Sequence, residues 1–179
     1  MRGNLLIGNK VRLRAIEPAD LEFIYSIEND PVIWRVGNTL TPYSRHQLEQ
    51  YILSSQHDVY SEKQIRLMID TLLPENEKKT IGVIDLYEFD PHHGRAGVGI
   101  FVLQEEQEKG YATDALQVMI RYCFEILNLH MLHCNISADN SNSIRLFEKA
   151  GFQQCGLRKD WRHLDNGWMD ELMFQLIRP

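Results

Sequence analysis

Cysteine is scarce in this chain: Cys123, Cys134 and Cys155 are the three in 179 residues. An odd, widely spaced set without metal-ligand spacing argues against a disulfide framework and a structural zinc site, and reads as reduced thiols. Long apolar runs are missing as well. No stretch reaches the roughly 18 apolar residues that a membrane-spanning helix needs. The opening "MRGNLLIGNKVRLRAI" has neither the apolar core nor the small-residue cleavage site of a secretory signal. The expectation is a cytoplasmic protein with no membrane partner. Basic charge is in deficit too: 19 Lys and Arg face 25 Asp and Glu, a net charge of −6. A basic face that grips phosphates, and with it a nucleic-acid partner, is therefore not expected.

What is present is acid, unevenly spread. Residues 81 to 110 hold Asp85, Glu88, Asp90, Glu105, Glu106 and Glu108 against Arg95 and Lys109, so most of the imbalance sits in one stretch. Either these carboxylates form a solvated face or they attract a cationic ligand. His92 and His93 stand in a polar turn beside Asp90, but no matching ligand set accompanies them, so no metal is expected.

The length and the 44% hydrophobic content fit one domain over 1–179. "VRLRAI" alternates as a strand, and "EPADLEFIYSIEND" and "TPYSRHQLEQYILSSQ" read as two helices, each with an early proline. "QIRLMIDTLL", "TIGVIDLYEF" and "VGIFVL" predict three strands joined by the turns "PENEKK" and "DPHHGRAG". In "ATDALQVMIRYCFEIL" the residues Ala115, Leu116, Met119, Ile120, Cys123, Phe124 and Leu127 follow a helical period. "MLHCNIS" is a strand, "DNSNSIRLFEKAGF" a capped helix closed by Gly151, and the tail two strands around Asp165, Asn166 and Gly167. The fold class is α+β: a mixed sheet of about seven strands with about four helices.

Chemistry enters at "QEKGYA". A strand end followed by a glycine that opens a helix aims unpaired backbone N–H groups and the positive helix end at one point, which suits an anion. Gly110 allows a backbone turn that a Cβ would oppose, and the small Ala112 leaves room beside it. A second element, Asn140 and Ser143 as NxxS at the mouth of the next helix, follows after one strand. The pair, in this order and spacing, resembles the GNAT superfamily of acetyl-CoA-dependent N-acetyltransferases. "GRAGVGI", "GYATDAL" and "NGWMDELMF" are similar to the branch holding ribosomal-protein N-terminal acetyltransferases and spermidine N-acetyltransferases.

The resemblance implies acetyl-CoA as acetyl donor, no metal, and direct attack by a primary amine in a ternary complex. Ile100, Phe101, Val102 and Leu103 would meet the pantetheine arm, with backbone N–H groups at Ile100 to Val102 receiving the oxyanion. Gln107, Glu108, Lys109, Gly110, Tyr111, Ala112 and Thr113 would hold the pyrophosphate, and Asn140, Ser143 and Phe147 would line the lower cofactor. Helix capping is the plain alternative for Asn140 and Ser143. For the catalytic base or amine anchor Glu88 comes first and Asp85 second, and an ideal strand turns the two to opposite faces unless a bulge intervenes. Trp161 and Trp168 read either as packing or as a wall of the acceptor cleft.

Two departures stand out. Phe147 occupies the place where many members carry a tyrosine proton donor, which leaves Tyr111, a water or an unassisted thiolate, and Gly97 stands where relatives often carry a glutamate. An acyl-CoA-binding sensor with little catalysis is therefore the alternative to an enzyme. The acceptor classes are a polyamine first, then a protein N-terminus or an amine-bearing small molecule. Edge strands of such sheets can pair, which leaves room for a homo-oligomer.

Overall fold

Strands with continuous apolar runs need cover on both faces, and the helices supply it in a computed structural model that describes residues 5–37, 40–54, 58–74, 78–164 and 167–179. The strands are β1 (Val11–Ala15), β2 (Ile65–Thr71), β3 (Thr80–Asp90), β4 (Arg95–Val102), β5 (Met131–Ser137), β6 (Gln153–Leu164) and β7 (Gly167–Ile177). They form one seven-stranded sheet in the order β1-β2-β3-β4-β5-β7-β6, antiparallel except where β4 meets β5. The helices are α1 (Leu21–Glu28), α2 (Pro31–Gly37), α3 (Arg45–Ser54), α4 (Val59–Glu62), α5 (Tyr111–Glu125) and α6 (Ser141–Lys149).

Side chains alternate across the central strands, so each face has its own core. Met68 and Val83 pack with Ile16, Ile24, Ile27, Leu48 and Ile52 under α1 and α3. Leu67, Ile69, Ile84 and Leu86 pack with Leu116, Met119 and Cys123 of α5 on the other side. Leu116 and Met119 are fully buried, each contributing about 1.5–3 kcal/mol of apolar transfer. β1 is tied to the start of α5 by the Asp114 carboxylate, which accepts from the N–H groups of Asn9, Lys10 and Val11 at 3.0, 2.7 and 3.0 Å.

Among the described residues six α-helices stand where about four helices were expected. α2 falls in a stretch expected to be loop, because Asp30 Oδ1 accepts from Val32 N–H at 2.8 Å and the Asp30 carbonyl starts the turn. α4 is one turn capped by Asp58, whose carboxylate accepts from Tyr60 N–H and Ser61 N–H. β4 starts at Arg95, not at Val98, since its pairing with β5 begins there. β6 begins earlier than expected, at Gln153. Asp165 and Asn166 of the tail turn lie outside the described residues.

The parallel contact between β4 and β5 is short. Arg95, Ala96 and Gly97 pair with Met131, Leu132 and His133, and past Gly97 no further β4–β5 pair is made among the described residues. The sheet thus opens into a fork, with one backbone edge of β4 left free where strands normally exchange hydrogen bonds.

Candidate active site

The fork is the floor of a cleft of about 890 Å³. Val98, Gly99, Ile100 and Phe101 line one wall, Cys134 to Ser137 with Asn140, Ser143 and Phe147 the other. Ile100 and Phe101 thus face the cleft. Val102 is buried, and its carbonyl accepts from Gln107 Nε2 at 3.1 Å, while Leu103 packs under α1 and α3. The Gln107 side chain therefore ties the loop to the end of β4.

Beyond β4 the chain turns through Gln107 to Gly110 into α5. Gly110 has φ +84, a left-handed conformation that a Cβ would strain, and stands directly before the first turn of the 15-residue helix. The loop is surrounded by cations. Lys10 Nζ donates to the Lys109 carbonyl at 2.7 Å, and the buried Glu106 carboxylate holds both Lys79 and Lys109. Those lysines depress the Glu106 pKa, Lys79 first, so a fixed carboxylate keeps two ammonium groups beside the loop. Glu108 and Lys109 are exposed, while Tyr111, Ala112 and Thr113 are half-buried at the helix start. The free edge of β4, a cleft of this size and a glycine-opened helix with flanking lysines together suit a long ligand ending in phosphates.

Asn140 caps α6: its Oδ1 accepts from Ser143 N–H at 3.1 Å. Capping and cleft lining coincide in these two residues. Phe147 is 3% exposed and packs edge-on against Phe152 at 5.0 Å between ring centroids, with one margin on the cleft.

The two strand carboxylates part company. Asp85 lines the cleft, opposite Arg66 in the β2–β3 register. Arg66 Nε and Nη2 donate to the two Asp85 oxygens at 2.7 and 3.0 Å, and Arg66 Nη1 donates to Glu28 of α1. Burial opposes the Arg66 cation, but attraction by Asp85, its hydrogen bonds and Glu28 outweigh that and hold the guanidinium firmly charged. Glu88 sits at the bulge between Tyr87 and Asp90 with φ +50, 73% exposed, its carboxylate 3.9 Å from His133 Nε2 and outside the cleft lining. Burial lowers the His133 pKa, so its ring is neutral at pH 7. Trp161 lines the cleft with Arg158 Cζ 4.8 Å from its ring centroid, and Arg158 in turn bonds the buried Glu171 at 2.8 Å. Trp168 stands apart on His163.

Of the acidic stretch, Glu106 is taken by lysines, Asp90 faces Arg95 at 3.4 Å, and Asp85 is shared with Arg66. Three of its six acids are thus locally matched. Arg66, Glu28 and Tyr87 were not foreseen. The available signal was Arg66 among the apolar residues of β2, with Asp85 in the next strand to pair with it.

These features match a known family. The profile of the Acetyltransferase (GNAT) domain family covers residues 10–153. The chain belongs to the GNAT acetyltransferase family. Its activity is acetyl-CoA-dependent N-acetylation of an amine. Among curated relatives, a spermidine N(1)-acetyltransferase of Vibrio cholerae is 28% identical over 150 residues, 84% of this chain and 83% of the relative. One of Escherichia coli is 28% identical over 149 residues, 83% of this chain and 76% of the relative. An uncharacterised N-acetyltransferase of Bacillus licheniformis, p20, is 25% identical over 173 residues, 97% of this chain and 96% of the relative. Among solved structures, a spermidine N-acetyltransferase from Vibrio cholerae in complex with CoA and spermine superposes with a TM-score of 0.83 at 25% identity, covering 93% of this chain and 95% of that one. Acetyl-CoA is the donor of this family.

Proposed function

We propose that this GNAT enzyme acetylates a polyamine, anchoring the acceptor at Glu28 and Asp85. The observation that supports this reading most is the pair of carboxylates around Arg66 at the end of the cleft away from the loop. Two acids against one guanidinium leave one negative charge for a second amine of the acceptor, while Tyr43 and Tyr51 provide aromatic surface alongside. Curated relatives and solved neighbours named for spermidine acetylation point the same way. A protein N-terminus or an amine-bearing small molecule comes next.

Acetyl-CoA supplies an acyl group activated as a thioester. This chain's residues orient and discharge the reaction around it. The backbone N–H groups of Ile100 and Val102, which face the open edge of β4, are the oxyanion donors, and the loop 107–113 holds the phosphates. Of the two carboxylates considered as base or amine anchor, Asp85 is the one lining the cleft; gripped by Arg66 it serves as the anchor, and the ammonium proton passes to water. CoA departs as its thiolate and takes a proton from water. With no candidate membrane-spanning helix among the described residues, the reading places the enzyme in the cytoplasm.

The test is CoA release from acetyl-CoA with and without spermidine, spermine, amine antibiotics and short peptides, with the product weighed by mass spectrometry. Stimulation by the polyamines supports the reading. Stimulation by peptides alone transfers the acceptor to protein N-termini.

A further inference from the structure

The phenol of Tyr87 stands where β4 leaves β5. Tyr87 is opposite Gly97 across the β3–β4 pair, and Gly97 is the last β4 residue that still pairs with β5. The ring lies across that glycine so closely that a Cβ on Gly97 would sit 2.2 Å from Cε2 and 2.4 Å from Cζ. Any other residue at 97 must push the ring out, so Gly97 and the placement of Tyr87 are one feature. The edge of the ring meets His133 with centroids 5.9 Å apart, and Asn135 of β5 lines the same cleft. Tyr87 thereby links the two strands just as they diverge, and it lines the cleft next to Gly99 and Asn135.

Chain direction fixes what arrives there. The phosphate loop follows β4, so an arm laid from that loop along the free edge of β4 runs back toward Gly97. Its reacting end is delivered to the apex of the fork.

We propose that Tyr87 is a catalytic residue that donates its phenolic hydrogen bond to the acyl oxygen of the bound thioester, adding a side-chain donor to the backbone N–H groups of β4. Tyr87 lines the cleft, where its hydroxyl can turn its hydrogen toward a ligand. Burial pushes the phenol pKa well above its usual 10, and Cys134 of β5, Glu88 of β3 and Glu171 of β7 push the same way. The group stays protonated at any working pH and donates without giving up its proton. This accounts for the departure at Gly97: with no side chain there, the phenol enters the site from β3. The inference rests on the family activity and is independent of which amine is acetylated.

The test uses the full chain and the amine it turns over fastest. Tyr87→Phe keeps the ring over Gly97 and removes only the donor. The expected result is a fall in kcat of about a hundredfold, the scale of losing one oxyanion donor. Acetyl-CoA Kd stays within about twofold, and Tm falls by only about 2–4 °C, the shift for 1 kcal/mol in a chain this size. A second variant carries 3-fluorotyrosine at 87, more acidic and nearly isosteric. Its fluorine resonance, which needs no acceptor, is expected to move further with acetyl-CoA than with CoA. A kcat for Tyr87→Phe within about twofold of wild type, or a fluorine signal identical for acetyl-CoA and CoA, overturns the proposal and leaves Tyr87 a rivet of the fork.

Discussion

Arg66 stands opposite Asp85 and grips both of its carboxylate oxygens, at 2.7 and 3.0 Å, while its remaining amino group turns to Glu28. The acids that face a cationic acceptor are thus already engaged by a cation of the protein. An incoming amine shares them with Arg66, and its affinity depends on the charge left over. Asp85→Asn removes that surplus. The KM for spermidine is expected to rise by about tenfold or more, the scale of one charge-assisted hydrogen bond, with the KM for acetyl-CoA unchanged. Steady-state kinetics with each substrate varied in turn checks it; an unchanged spermidine KM removes Asp85 from the acceptor site.

Gly110 holds φ +84 at the start of α5. Gly110→Val forces a β-branched residue into the left-handed region, at a cost of roughly 1–3 kcal/mol, and swings the loop N–H groups off the phosphates. Acetyl-CoA affinity is expected to fall at least about tenfold, while circular dichroism retains the native spectrum. Titration calorimetry with acetyl-CoA reads the difference, and an unaltered Kd would remove the loop from the cofactor site.

Phe147 is walled in by Phe152 and reaches the cleft by one margin. Phe147→Tyr adds a hydroxyl at that margin and removes nothing that reacts. Turnover is expected to stay level or rise. A large loss in kcat with acetyl-CoA binding unchanged would make the bare phenyl ring a requirement.

Asp70 is 2% exposed and holds Arg12, Arg14 and Thr80 together across β1, β2 and β3. Burial raises its pKa, but the bonds from Arg14, Thr80 and Arg12 outweigh this and bring it below the usual 3.8. A depressed carboxylate contributes stability that is fully present above its unfolded pKa and is lost as pH falls through its folded pKa. Wild-type Tm is therefore expected to fall as the pH drops from about 4. Asp70→Asn is expected to have a lower Tm at pH 7 and a flatter acid limb. Thermal melts between pH 2.5 and 7 check both.

How much of this was legible in the sequence depends on the range of the interaction that decides each feature. Helix α5 announces itself because its apolar period is local, and the Gly110 turn because a positive φ needs a glycine. β4 was read three residues short: Arg95, Ala96 and Gly97 are strand only because β5 arrives from beyond α5 to pair with them. The cofactor side of the cleft lies in two local motifs. The acceptor side joins Glu28, Arg66 and Asp85 from three elements, and no spacing along the chain records that meeting. On sequence alone Glu88 ranks ahead of Asp85, but the bulge at Tyr87 to Asp90 turns it to the rim. Gly97 read as a missing carboxylate, whereas the space belongs to the Tyr87 ring.

The account's central claim is that a second positive charge on the acceptor is recognised at Glu28 and Asp85. It is tested most directly by comparing kcat/KM for spermidine with that for a simple alkylamine of similar length, in wild type and in Glu28→Gln. The account predicts a preference for spermidine of about tenfold or more in wild type, shrinking toward parity in the variant. Equal kcat/KM for the two amines in wild type, or a preference that Glu28→Gln leaves untouched, contradicts it.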